Sequence, residues 1–401
     1  MHTRKTFRYT MFGLLYFSQG TILSYFTALN ALYFLSRGLS MTDVGIFASI
    51  ALVPFVIKIF LGMLSDRVNL FGQGHRKPYI LIGLIVQVAC LVVVPFVDPA
   101  EYYWGFVAIA FILQMGMALY DTCTDGLALD TIPEDEQGPI QGFMVGGRAI
   151  GVVVTASIVG LLAQQVSWHA VFWLLGLFSL LPIPLVLMTR EPERPVERTF
   201  QWSAFSAFKN RTVIALAAMG FLFFLIIAGA NQNMNPFLDQ EFGIGLSTAG
   251  FLTTVWGLGV TLGGVTGGST IRRLGGQNAV RIALLVSLVS IVALALVPGP
   301  ILAWPLAALF GLAYGTCQTV FFSLAMGHTD TRIAASMFSI LMAVTNVAQG
   351  VGMALAGSLA DGIGFRWTFG ILAAINLLVL PLLPAVFGKP AQGGSQSAAG
   401  L

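Results

Sequence analysis

The chain has 401 residues, of which 57% are hydrophobic and only 9% charged, and its formal net charge is +3. Soluble domains carry about 25% charged residues, so this composition excludes a water-soluble enzyme or binding module. The basic residues are spread over short loops, which suits anionic lipid headgroups and excludes a nucleic-acid surface.

Twelve apolar stretches follow one another, each longer than the ~17–20 residues a bilayer core requires. The first, 11–35, comes after Arg4, Lys5 and Arg8 and begins like a signal peptide. It is too long for one and lacks a small-residue cleavage site, so it reads as a span, carrying Tyr16 and Gln19. Span two, 44–64, holds Lys58 and Gly62 and exits through Asp66 and Arg67; Arg76 and Lys77 precede span three, 78–97. Span four, 103–129, contains Asp121 and Asp125, with Asp130 at its end, and span five, 139–166, contains Arg148. Span six covers 168–188, and the polar stretch 190–211 that follows holds Glu191, Pro192, Arg194, Pro195 and Arg198. Span seven, 212–236, ends in the amides Asn231, Gln232, Asn233 and Asn235 before Pro236. Spans eight to twelve run at 247–271, 279–297, 301–327 (with Gln318), 333–359 (with Asn346 and Gln349) and 366–387. The Gly/Ser/Ala/Gln-rich tail, 389–401, is expected to be disordered.

With the N-terminus inside, sixteen of the twenty Lys and Arg residues fall on the inner face, while the outer face holds only Arg37 and Arg366. This positive-inside bias predicts an all-α membrane protein of twelve transmembrane helices with both termini cytoplasmic. Its parts are an N-terminal six-helix bundle (1–189), a cytoplasmic linker (190–211) and a C-terminal six-helix bundle (212–388). The halves echo each other: span two ends in Gly62, Asp66 and Arg67, and span eight in Gly267, Arg272 and Arg273. Repeats of this kind place substrate sites at the interface between halves.

The same residues resemble the major facilitator superfamily, whose loop between spans two and three matches Gly62, Asp66, Arg67, Arg76 and Lys77. This loop is longer than the common form, and the second-half copy has Ile271 where the acid should be. The first 150 residues further resemble the AmpG-type muropeptide permeases and acetyl-CoA transporters. The matching residues are Phe17, Ser18 and Gly20; Gly38, Ser40, Val44 and Gly45; Pro54 and Lys58; Asp121, Asp125 and Asp130; and Gly147, Arg148 and Gly151. The resemblance implies a bulky polar or amphipathic substrate such as a muropeptide fragment, import as the direction, and a cavity lined by spans one, four, seven and ten.

Lys58, Asp121, Asp125 and Arg148 are ionisable residues inside spans and sum to zero charge. An unpaired charge there costs about 2.5–3.5 kcal/mol on insertion scales, so pairing is expected. Asp121 and Asp125 share one face of span four, and the simplest arrangement sets that face against Arg148 and Lys58. Such a cluster is a proton relay, an anion site or a gate; alternatively, it is a structural lock between helices. Asp66 is expected to reach the start of span eleven and Arg67 to reach Asp130 when the inner side is shut, with Arg76 and Lys77 setting topology only. Tyr16, Gln19, Asn231, Asn235, Gln318, Asn346 and Gln349 are candidate substrate contacts or, equally, interhelical glue. The amide cluster before Pro236 is expected to break helix regularity where it lines a cavity. Gly147/Gly151, Gly259/Gly263 and Gly311/Gly315 permit close helix approach.

The cysteines Cys90, Cys123 and Cys317 lie in spans and the histidines lack metal spacing, so no disulfide framework, metal or other cofactor is expected. No nucleotide motif and no nucleophile–base pattern is present in the sequence, which argues against enzyme activity and against ATP as the direct energy source. The expectation is a monomeric secondary transporter of the bacterial inner membrane, contacting lipids, a small-molecule substrate and protons as the coupling ion. A drug or metabolite exporter and a non-transporting membrane assembly factor are the alternatives.

Overall fold

The computed structural model describes residues 5–72, 74–132, 134–191, 202–327 and 334–387. Arg4, Pro192, Arg194, Pro195, Arg198 and the tail 389–401 lie outside them. Every regular element among the described residues is a helix. The first half holds α1 (Lys5–Ala28), α2 (Asn30–Ser36), α3 (Met41–Arg67), α4 (Lys77–Val93), α5 (Tyr103–Thr131), α6 (Glu134–Gln165), α7 (Trp168–Leu180) and α8 (Ile183–Met188). The second holds α9 (Arg211–Phe242), α10 (Gly245–Leu274), α11 (Gly276–Ala295), α12 (Pro300–Gly327), α13 (Ala334–Ile363), α14 (Phe365–Ile375) and α15 (Leu383–Phe387).

Among the described residues eleven stretches are long and apolar enough to cross a membrane, the fifth (span six of the sequence) being α7 with α8 and the last α14 with α15. The twelfth is α1 with α2. Its polar Ser18, Gln19, Thr21 and Ser24 lower its hydropathy, but all four are buried against protein. A span whose polar groups face its neighbours need not be apolar all round. The sixth span breaks where Pro182 and Pro184 remove backbone donors between α7 and α8.

Helices pack in two sets. In the first half α1 lies on α6 and α5, α3 on α5, and α4 on α5 and α7; in the second, α10 lies on α12, α13 on α9, and α11 on α12 and α14. Glycines set the closest approaches, as their spacing predicts. A Cβ on Gly147 or Gly151 would lie 2.2 Å from Gly13 O or 2.3 Å from Phe17 O of α1. One on Gly263 would lie 2.2 Å from Leu312 O, and one on Gly315 2.0 Å from Val260 O, so α10 and α12 touch through backbone.

The halves meet through α3 with α13 and α6 with α10, at the ends of these helices far from the N-terminal face. Ser49 Oγ donates to Gly350 O at 2.6 Å, Ser157 and Thr254 hydroxyls lie 3.1 Å apart, and Gln164 Oε1 accepts from Ser247 N at 3.2 Å. Asp361 of α13 accepts from Met41 N (3.0 Å), Thr42 N (2.6 Å) and Thr42 Oγ1 (2.6 Å) at the start of α3. Toward the N-terminal face, Phe60 and Leu64 of α3, Phe143 and Val145 of α6, and Leu262 and Val265 of α10 are exposed. The named contacts thus join the bundles on the side away from Lys5, and these exposed side chains lie on the other.

Candidate functional site

The seal ends near Phe55 and Val152, and just beyond it, within one turn, lie the intramembrane charges. Lys58 Nζ stands 3.6 Å from Asp121 Oδ2, and Gln19 Nε2 donates to Asp121 Oδ1 at 2.7 Å. Asp121 is buried. Tyr16 donates its hydroxyl to Asp125 Oδ1. So α1 supplies a partner to each carboxylate of α5, and α3 supplies the cation.

The expected pairing of Arg148 with the two acids does not form. The physical reason is α1, which packs on both α5 and α6 and presents Tyr16 to Asp125. Arg148 is exposed, and among the described residues it makes no ion pair or hydrogen bond. It lies one turn before Val152 on the same face of α6, and Val152 Cγ1 would stand 3.9 Å from a Cβ on Gly257 of α10, so this face of α6 looks toward the second half.

The neutral candidates divide. Asn346 Nδ2 donates to Phe55 O across the halves at 3.0 Å, and Gln349 Nε2 to Asn346 Oδ1 at 3.2 Å, so both belong to the seal. Asn235 Nδ2 donates to Thr253 Oγ1 at 3.0 Å, Asn233 Nδ2 to Ala356 O at 3.1 Å and Gln232 Nε2 to Met353 O at 2.9 Å. These amides tie α9 to α10 and α13. The expected break at Pro236 is absent: α9 continues through it as one helix of 32 residues, losing one ladder bond at the proline while the amides bond to neighbouring helices. Asn231 is buried at 9% exposure beside them, and Gln318, half-buried, shares a face of α12 with Tyr314.

At the N-terminal face Arg67 is exposed, and the guanidinium that reaches Asp130 is that of Arg76, at 3.4 Å; the contact expected of Arg67 with Asp130 belongs to the state with the inner side shut. Arg76 is buried, donating to Asp66 Oδ1 and Ser65 Oγ at 2.5 Å each. It is thus a hub of the first half and not merely a topology signal. The longer loop brings Arg76 back over α3, and Gly126 makes room: a Cβ there would lie 2.4 Å from Arg76 Nε. Gly62 packs α3 against Thr122 of α5. Glu191, after α8, accepts from the backbone N–H groups of His75, Arg76 and Lys77 at 2.9–3.1 Å and so caps α4.

Sequence reasoning missed Arg76, Glu191 and Asp361. Their signals were present: Gly126 among bulky neighbours, and lone acids just past the ends of spans six and eleven.

Residues 11–340 match the family described as Major Facilitator Superfamily. The chain belongs to the major facilitator superfamily. The anhydromuropeptide permease of Escherichia coli (strain K12) is 22% identical over 382 residues, covering 91% of this chain and 76% of that protein. Among solved structures, the nucleoside transporter NupG superposes with a TM-score of 0.79 at 17% identity, covering 96% of this chain and 99% of that one. A bacterial homolog to the human lysosomal transporter Spinster, in an inward-facing and unoccupied conformation, gives 0.76 at 16%, covering 96% and 98%. At such identities the two structures speak for the fold. As a superfamily member the chain is an integral membrane transporter of twelve helices in two bundles.

Proposed function

We propose that this superfamily member is a proton-coupled secondary transporter of the bacterial inner membrane, importing a muropeptide-like organic solute by alternating access. The observation that carries the reading is the charge cluster at the apex of a cleft open on one side only. Charges inside a membrane are retained for function more often than for stability, and here they flank the path a solute would take. Asp125 is the proton carrier: its partner is a neutral tyrosine, whereas Asp121 already holds Lys58. Protonating Asp125 would turn the charged acceptor of the Tyr16 hydroxyl into a weaker neutral one and loosen α1 from α5, biasing the two-state equilibrium. With both termini on the cytoplasmic side, as the positive-inside bias of the loops supports, the cleft opens inward.

The test is uptake of labelled anhydromuropeptide into proteoliposomes with and without an inward proton gradient, together with melting of the purified protein. Asp125→Asn should abolish gradient-driven accumulation while exchange across equal pH persists and the unliganded melting temperature holds. Uptake indifferent to the gradient, or an Asp125→Asn protein that melts early yet still accumulates solute, would show the cluster to be a structural lock.

A further inference from the structure

The carboxylates of the cluster have partners: Asp121 holds Gln19 and Lys58, and Asp125 holds Tyr16 through Oδ1. Several donors near them have none. Arg148 has no hydrogen bond or ion pair among the described residues, and neither do the Tyr314 hydroxyl or the Gln318 amide of the opposite half. Trp256 Nε1, 7% exposed, likewise has no acceptor. Trp256 meets Tyr314 edge to face, with ring centroids 5.2 Å apart, and is next in α10 to Gly257, which packs against Val152, one turn from Arg148 on α6. Leaving a buried indole N–H without an acceptor costs free energy that an incoming acceptor recovers, and the exposed guanidinium exchanges water for it.

We infer that Arg148 of α6, facing Trp256, Tyr314 and Gln318 of the second half, forms an oxyanion site, and that the transported solute is an organic anion. A planar guanidinium pairs with a carboxylate or phosphate through two parallel hydrogen bonds, and the aromatic donors and amide suit its remaining oxygens. The solute spans the seam, held by a cation from one half and neutral donors from the other. This assignment rests on the transport reading above, but it concerns other residues and does not need the solute's identity.

Its test reads the charge preference of the empty cleft. A single thiol is placed by Gln318→Cys, with Cys90, Cys123 and Cys317 replaced by Ala. Its modification is timed with an anionic sulfonatoethyl and a cationic trimethylammonium-ethyl methanethiosulfonate. The anion-to-cation rate ratio should fall roughly tenfold on adding Arg148→Gln, as expected for one unit charge removed at cleft distances. Arg148→Lys should restore most of it. A ratio unmoved by Arg148→Gln would overturn the oxyanion site. Asp125 is intact in both proteins compared, so a ratio lowered by Arg148→Gln beside gradient-indifferent uptake would overturn proton coupling alone.

Discussion

At the level of single residues, Arg76 is the side chain with most to lose. Its guanidinium, 8% exposed, lies between Asp66 and Asp130 and fills the space left by Gly126. Removing the cation from a buried ion network destabilises by about 3–5 kcal/mol, so Arg76→Ala should lower the melting temperature sharply, and Gly126→Val should do the same by evicting the ring of donors. A melting temperature unchanged in both would mean that the hub is ornamental. The Glu136 carboxyl at the start of α6 is held below the usual Glu range, first by the hydrogen bond from Arg8 (2.6 Å) and then by Lys5. A lowered native pKa stabilises at every pH above the unfolded value of about 4.3 and is lost as pH falls through the native value. The stability gap between wild type and Glu136→Gln should therefore be flat near neutrality and close below roughly pH 4, as thermal unfolding across a pH series will show.

Among the elements, α3 ends in the opposite half. Its Ser40 N and Asp43 N are satisfied by a capping box of its own, with Asp43 Oδ2 and Ser40 Oγ accepting at 2.9 and 3.1 Å. Met41 N and Thr42 N depend on Asp361 of α13. Hydrogen bonds to a charged group contribute about 1.5–3 kcal/mol each, so Asp361→Ala should move the conformational equilibrium tenfold or more away from the sealed side. A Cys probe at Ser49 should then become reactive from the face opposite the N-terminus; unaltered reactivity would deny the cap a gating role. Gly45→Val tests the same seam sterically, since its Cβ would come within 2.6 Å of Met353 O. The echo between the spans ending at Gly62 and Gly267 also has a physical basis. Each of these glycines approaches a threonine of the helix it packs on, Thr122 of α5 and Thr316 or Thr319 of α12.

For the whole molecule, the prediction is sidedness. A thiol at Gln318 should react with membrane-impermeant reagents from the face that carries the N-terminus and stay protected from the other; equal labelling from both sides would contradict the sealed seam. The architecture was legible because the bilayer demands long apolar runs and the loops carry a charge bias, both local properties of sequence. The identities of the site residues were legible for a related reason, charge where lipid forbids it. Their partners were not. That Tyr16 and Gln19 would reach Asp125 and Asp121 ahead of Arg148 depends on α1 lying between α5 and α6, which no spacing within one helix reveals. Asn346, a candidate for substrate contact or interhelical glue alike, bridges the halves, and Gln349 bonds to it, which spacing within one helix does not reveal either.

The seam between the halves has a further consequence. Gly45 lies against Met353 O and Ala354 Cα, Gly160 against Leu246 O, Gly250 against Ala156 O and Gly357 against Met41 O, so main chain rests on main chain there. Interdigitated side chains must find their rotamers again each time a joint closes, but bare peptide surfaces have none to find. Such a joint can roll open and reseat cycle after cycle with little memory of the last turnover, and its wear falls on a few polar clasps instead.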